Sequence, residues 1–515
     1  MQYGFVIDQT SCIGCHACTV ACKTEHDVPL GVNRTWVKYI EKGRWPDTRR
    51  FFSVMRCNHC TDAPCVSICP TGALFRRDDG IVDFDTSLCI GCKSCLQACP
   101  YDALYIDPND HTAQKCNYCV HRVEVGLEPA CVVVCPEGAI ISGDLDDPTT
   151  PISQMVASEN LSQRSVEQGT SPNLWYRGVE KASIDPLGAV DPGDGGIWRD
   201  PAPSFLSVDL TPTPSPSRPS RPDSVPRVVY NTDHPMPWGW RVSSYFLTKG
   251  ISAGLAIVAA LALLFGADAG TAFVRWGAPL ISAIFLALTG VLLVADLKRP
   301  DRFYFLLTKG RSGSWLVKGA WILAAHAVLL GLWFVLGIAG SGYLPVFIWA
   351  AGAAGLGVAG YTAFLFAQAE GRDLWQSPML LWHMLAAAVA VGGGAGLVSG
   401  GLFELGSRIM GVFAWALVAG AAALALIGLA EMVSPHPTAN HAAAMHHLTR
   451  GAYAREWWWG GHVVGVVLPL VLGIVFLAGP DGLWWLAGLG GLAAMAGVWC
   501  ADDAYVRAGQ SVPLS

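Results

Sequence analysis

Residues Cys89–Pro100 read C-I-G-C-K-S-C-L-Q-A-C-P. Cys89, Cys92 and Cys95 have two residues between neighbours, Cys99 follows after three more, and Pro100 closes the run. With that spacing one loop wraps three thiolates round a [4Fe–4S] cubane, and the fourth thiolate serves a neighbouring cluster. The pattern recurs. Cys12, Cys15, Cys18 and Cys22 repeat it; Cys57, Cys60, Cys65 and Cys69 stretch one gap to four residues; Cys116, Cys119, Cys131 and Cys135 stretch one to eleven. Of the 17 cysteines only Cys500 stands outside these quartets, so the expected cofactors are four [4Fe–4S] clusters. Disulfides suit small secreted domains in an oxidising compartment, and zinc quartets lack the C-x2-C-x2-C-x3-C-P run.

Around the quartets, short β-prone stretches such as Gly4–Ile7 and Ile81–Phe84 precede cysteine loops, and apolar stretches such as Ala73–Phe75 and Ala103–Ile106 follow them. This rhythm of strand, loop, short helix and strand predicts an α+β duplicated bacterial ferredoxin domain. Inserts at Arg34–Phe51 and Val120–Ala130 interrupt the repeat and are candidate docking elements. The four quartets, with Gly143–Pro148 and Gly169–Tyr176 beyond them, resemble the iron–sulfur electron-transfer subunit of molybdopterin oxidoreductases of the dimethyl-sulfoxide-reductase superfamily. The resemblance covers residues 1–178 and implies crossed ligand sets. Cys12, Cys15 and Cys18 would share a cubane with Cys135, and Cys116, Cys119 and Cys131 one with Cys22. Cys57, Cys60 and Cys65 would pair with Cys99, and Cys89, Cys92 and Cys95 with Cys69. It also implies a separate molybdopterin (Mo or W) catalytic subunit as partner.

Charged residues make up 14 % of the 515, against about 25 % in ordinary soluble proteins, and mean hydropathy is +0.38. Both point to membrane. A net charge of −6 argues against nucleic acid as a partner. MQYGFVIDQTSC at the start has neither a basic n-region nor an apolar h-region, so no export signal is expected. Residues 179–237 change character: Pro201–Arg227, with TPTPSPSRPSRP, reads as an extended, solvated linker. From 238 to 515 the sequence reads as an all-α polytopic domain of eight transmembrane helices. They centre on 244–266, 274–295, 315–338, 344–367, 379–399, 409–430, 458–477 and 483–500, each close to the ~20 residues needed to cross hydrocarbon. Trp315, Trp375, Trp457–Trp459 and Trp484–Trp485 stand at segment ends as interfacial anchors. Abundant Gly and Ala predict closely packed helices.

Asp296-Leu297-Lys298-Arg299-Pro300-Asp301-Arg302-Phe303 after the second span, Tyr361-Thr362-Ala363-Phe364-Leu365 in the fourth, and Ala508–Ser515 at the end resemble the eight-helix membrane subunit of polysulfide reductase, the NrfD-type family. That resemblance covers 238–515. It implies a quinone, menaquinone or ubiquinone, bound near the cluster subunit, and no haem. Reducing a quinone takes two electrons and two protons, so its site needs hydrogen-bond donors and a proton route. Tyr361, Lys249, Tyr245, Asp296, Gln368 and Glu370 are the candidate catalytic groups; Tyr361, Lys249, Asp296 and Arg299 are the candidate quinone ligands. Glu431 joins them at a cluster-side helix end. Lys249 alternatively snorkels to the interface, and Asp296 alternatively pairs with Arg299. His326, His383 and His462 pose the rival of a haem b cytochrome anchor. A file of intramembrane acids would favour a cluster-driven proton or ion translocator. His436, His441, His446 and His447 lack a metal spacing and read as a solvated loop, and Cys500 reads as an inert thiol.

Basic residues crowd one side of the eight spans. Lys298, Arg299, Arg302, Lys309, Arg311, Lys318, Arg372, Arg450, Arg455 and Arg507 lie there, with Arg218, Arg221, Arg227 and Arg241 on the approach; only Arg275 and Arg408 lie opposite. The positive-inside rule then expects a multi-pass protein of the inner (cytoplasmic) membrane with its cluster domain in the cytoplasm. The expected role is that of an electron-transfer and anchor subunit, linking a catalytic partner to the membrane quinone pool.

Overall fold

The computed structural model describes residues 1–43, 46–190, 225–233, 236–403, 405–479 and 483–515. Most of the Pro/Ser-rich stretch, including Arg218 and Arg221, lies outside them, as does the side chain of Trp484.

The N-terminal part is built on a sheet in which Tyr3–Asp8 pairs antiparallel with Ile140–Asp144 and parallel with Leu174–Arg177. The strand-and-loop rhythm of the sequence is present. Leu74–Arg76 pairs with Val82–Phe84, and Leu104–Ile106 with Ala113–Lys115, as two equivalent hairpins behind the central quartets. Helices Ala17–Glu25, Pro64–Ile68, Ser94–Ala98 and Ala130–Val133 carry Cys18 and Cys22, Cys65, Cys95 and Cys131. The insert at 34–51 forms most of a hairpin, Thr35–Lys42 with Arg49–Arg56. Thr35–Lys42 pairs on its other edge with Arg227–Tyr230, inside the stretch read as linker, and so is the middle strand of three. The β-branched pair Val228-Val229 favours that added strand. At the other end of the same stretch, Lys181–Ile184 is a short helix with Ser183 buried against Gln9 and Ser53.

Eight helices among the described residues are long and apolar enough to cross a membrane: Trp240–Leu264, Phe273–Asp296, Trp315–Ala339, Leu344–Ala367, Leu380–Gly400, Ser407–Val433, Glu456–Ala478 and Trp485–Ser511. The protein is a multi-pass membrane protein with an N-terminal ferredoxin-like unit and an all-helical C-terminal region. The eighth span runs to Ser511 rather than ending near 500. Its charged turn stays helical because Asp502 meets His383 at 3.0 Å and Asp503 meets Arg507 at 2.7 Å. Small residues set the helix contacts, as expected. A Cβ on Gly254 of the first span would overlap the carbonyl oxygen of Ala388 in the fifth, and one on Gly394 would lie only 2.7 Å from Cα of Gly491 in the eighth. Two tryptophans read as interfacial anchors are not at an interface: Trp375 is 1 % and Trp457 4 % exposed. Trp375 stacks on Trp238 and lies where any side chain at Gly509 would sit.

Candidate functional site

None of the 17 cysteines is in a disulfide. Two of the inherited crossed sets line separate cavities: Cys69 with Cys89, Cys92 and Cys95, and Cys135 with Cys12, Cys15 and Cys18. In the other two, Cys60 is flanked by Cys57 and Cys99, and Cys22 by Cys116, Cys131 and Cys119. The sets follow one another in space. Cys65 acts electrostatically on Cys95, Cys57 on Cys116, and Cys131 on Cys18. Cys15, in the last set, is exposed.

The loop conformation follows from the sequence. Gly91 (φ 65°) and Lys93 (φ 65°) are left-handed in C-I-G-C-K, as are Gly14 and His16 in C-I-G-C-H. At Gly91 glycine is required twice over, since a Cβ there would also lie 2.6 Å from Cβ of Lys298. The turn aims the Gly91 N–H at Cys89 Sγ, and Ala113 N–H from the neighbouring strand donates to the same sulfur, both at 3.4 Å. Such amide nests suit anionic iron–sulfur clusters.

Buried cations fit the same group. Arg56 is fully buried, donates to Cys131 Sγ at 3.1 Å, and leaves Nε and Nη2 without partners among the described residues. Lys115 is equally buried and donates to backbone, to the carbonyls of Val82 and Cys116. Buried charge of this kind calls for anions beside it, and cysteinate-bound clusters are anionic. Burial pushes the thiols of Cys18 and Cys99 up to about 11 and that of Cys92 up to about 12, so their thiolate forms depend on iron. The protein thus carries iron–sulfur clusters in its N-terminal unit.

The loop after the second span clasps the Cys89–Cys92 loop. Lys298 and Arg299 donate backbone N–H to the carbonyls of Gly91 and Ile90 at 3.1 and 3.2 Å. The Arg302 guanidinium reaches those of Thr86 and Cys89 at 2.7 and 2.9 Å. Arg299 itself pairs with Asp301, not with Asp296. Asp296 instead takes Lys93 at 2.8 Å, a partner from the cluster domain that sits between Cys92 and Cys95. The D-L-K-R-P-D-R-F stretch is therefore a clasp on the cluster loop.

Beside that clasp an apolar cavity opens between the first four spans, and Tyr245, Asp296 and Tyr361 line it together with Cys92 and Trp238. Cys92 thus borders both this cavity and the four-cysteine cavity. Lys249 does not snorkel. It is 2 % exposed, and its Nζ donates to Ala359 O at 3.0 Å and Thr362 Oγ1 at 2.5 Å, 4.9 Å from the centre of the Tyr361 ring. The Thr362 side chain also lies beside the phenols of Tyr245 and Tyr361. Gln368 lies elsewhere: it accepts from Trp315 N–H at 2.8 Å and donates to Gly313 O at 3.0 Å, capping the third span. Glu370 lies in the following loop with much of its surface exposed, and the neighbouring protein still shields its carboxyl enough to hold it above the usual range. Neither lines the cavity, and neither does Arg299. Sequence reasoning missed Trp238, whose indole donates to Cys92 O at 3.3 Å, and also Thr362, Lys93, Arg56 and Lys115. A tryptophan just before the first span was the one available signal. Of the haem candidates, His383 meets Asp502, His462 meets Trp457 O at 2.9 Å, and His326 is buried with both ring nitrogens unpartnered among the described residues.

Comparison with known families matches residues 228–502, just over half of the sequence, to the family described as "Polysulphide reductase, NrfD". Residues 48–145 and 11–74 each match a "4Fe-4S dicluster domain" family. One subunit of the tetrathionate reductase of Salmonella typhimurium is 41 % identical over 204 residues, which is 39 % of this protein and 80 % of the relative. One component of the polysulfide reductase of Wolinella succinogenes is 41 % identical over 187 residues, 36 % of this protein and 98 % of the relative. The arsenate respiratory reductase iron–sulfur subunit of a Shewanella species is 34 % identical over 226 residues, 34 % of this protein and 96 % of the relative.

Proposed function

The protein belongs to the polysulphide reductase NrfD family, with dicluster domains ahead of its membrane region, and from this we propose that it carries electrons between a separate catalytic subunit and a quinone in the bilayer. The observation that carries the reading is Cys92, which borders both a four-cysteine cavity and a membrane cavity lined by two tyrosines and an aspartate. Four cubanes, ligated in the crossed sets, form a one-electron wire from the exposed end at Cys15 to Cys92. The relatives named as reductase subunits support a reductase partner, and the superfamily resemblance supports a molybdopterin (Mo or W) enzyme acting on a sulfur oxyanion, polysulfide, formate or another oxo-acceptor. Tyr361, Tyr245 and Asp296 are the groups that meet the quinone head, and Lys249, outside that cavity but against Thr362 and the Tyr361 ring, supplies protons to them. Gln368, Glu370 and Arg299 drop out because they lie away from that cavity.

The test uses the complex purified from membranes without air. Electron paramagnetic resonance should show clusters reduced by a quinol analogue or by the partner's reductant, and reoxidised by added quinone. Clusters that cycle with artificial dyes but never with quinone would refute the reading.

The cluster domain faces the cytoplasm in this proposal, supported by the basic loops on its side. Several of those residues also hold the cluster domain, Arg372 for instance through Gln97 at 2.9 Å, yet they still obey the charge rule. A reporter fused after Ser515 should be active only where cytoplasmic reporters work. Activity of an export-dependent reporter there would reverse the orientation.

A further inference from the structure

A quinone head against Tyr361 would sit well inside the protein, and each proton it takes or releases must be exchanged with water. A second, smaller cavity lies on the far side of Lys249. Lys249, His383, Met384 and Asp502 contribute to its lining, so it joins the first, fifth and eighth spans. Lys249 has no carboxylate in direct contact among the described residues, and Asp502 is the charged group that acts on it across this space. Asp502 in turn holds His383 at 3.0 Å. Beyond His383 the next ionisable group is Glu431, which acts electrostatically on it. Glu431 accepts from the Ser377 hydroxyl at 3.1 Å, and residues 433–437 just past it are exposed on the cluster side. Tyr505 stands beside both acids, but its hydroxyl is engaged with Leu374 O at 2.7 Å. Intramembrane acids with a histidine between them are costly to keep and are held where they serve.

We propose that Glu431, His383, Asp502 and Lys249 are the proton path between cluster-side water and the quinone pocket, entering it through Thr362 and Tyr361. This rests on the quinone reading above. Reduction takes two electrons, one at a time, from the cluster at Cys92, and two protons from the pocket. Each proton lost there is replaced by one moving from Glu431 through the His383–Asp502 pair and the small cavity to Lys249; quinol oxidation runs the same steps outward. The cavity is of a kind that holds water, because Lys249, His383 and Asp502 offer it polar partners. These residues act through Lys249 and Tyr361, so they are positioning and relay groups rather than catalytic residues.

The whole complex tests this in steady-state assays with a quinol analogue. Asp502→Asn should lower kcat about a hundredfold, leave KM and all cluster signals unchanged, and enlarge the solvent deuterium isotope effect. Asp502→Glu should restore most of the rate. Glu431→Gln, at the half-buried mouth, should act in the same direction and stands in if Asp502→Asn fails to accumulate. Wild-type turnover in either variant, with Tyr361→Phe slowed, overturns the path and leaves the pocket standing. Wild-type turnover in Tyr361→Phe as well overturns both. A raised KM or lost clusters in Glu431→Gln marks a structural role and also overturns the path.

Discussion

Cys95→Ser and Cys99→Ser should damage two different clusters, although the two residues belong to one short helix and its end. Cys95 lies within Ser94–Ala98, whereas Cys99 is the residue at which that helix stops, in an extended conformation with φ −79° and ψ 117°. The change of backbone direction turns the two thiols apart. Cys95 faces the cavity of Cys69, Cys89 and Cys92; Cys99 faces Cys57 and Cys60. Each variant should therefore lose one cubane's signal, and a different one. Iron and acid-labile sulfide should fall from about sixteen of each per protein towards about twelve. Quinone-linked turnover should drop to background in both, because a one-electron wire has no parallel branch. Spectra assigning both losses to the same cubane would break the crossed arrangement.

The parts of this protein that rest on local pattern were legible in the sequence. Cysteine gaps are set by the geometry of a cubane, so the quartets needed no tertiary information. Hydropathy over ~20 residues located all eight spans, because each must satisfy its own backbone in lipid. What escaped was non-local. Asp296 has a nearby cation in Arg299, and that proximity in sequence suggested a pair; the fold turns Arg299 to Asp301 and brings Lys93 in from the cluster loop. The eighth span looked finished where its charges begin, yet Asp502 and Asp503 each meet a partner. Gln368, read as a candidate catalytic group from its place at a cluster-side helix end, caps a helix instead. Arg56, at the end of a β-strand that also holds Arg49 and Arg50, carries no sequence mark of its burial among thiolates.

Tyr361→Phe should slow quinone-linked turnover while leaving cluster content and the partner's dye-coupled activity as they were. The ring would stay in place, since it packs against the third span so closely that a Cβ on Gly319 would overlap it. Only the hydroxyl is lost, and with it one end of the group formed by Lys249, Thr362 and Tyr245. As a hydrogen bond to bound quinone that hydroxyl is worth roughly 0.5–1.5 kcal/mol; as a proton donor in the rate-limiting step it is worth about a hundredfold in kcat. The two contributions separate in the kinetics, the first raising KM and the second lowering kcat. Lys249→Met keeps most of the side-chain volume but removes the donor to Thr362 and Ala359, so its effect should fall on kcat. A tyrosine that served packing alone would behave otherwise: Phe would be neutral there, and larger disruptions would lower yield without touching quinone kinetics. Unchanged turnover and unchanged affinity for a soluble quinol analogue in both variants would place the quinone somewhere other than the cavity beside Cys92.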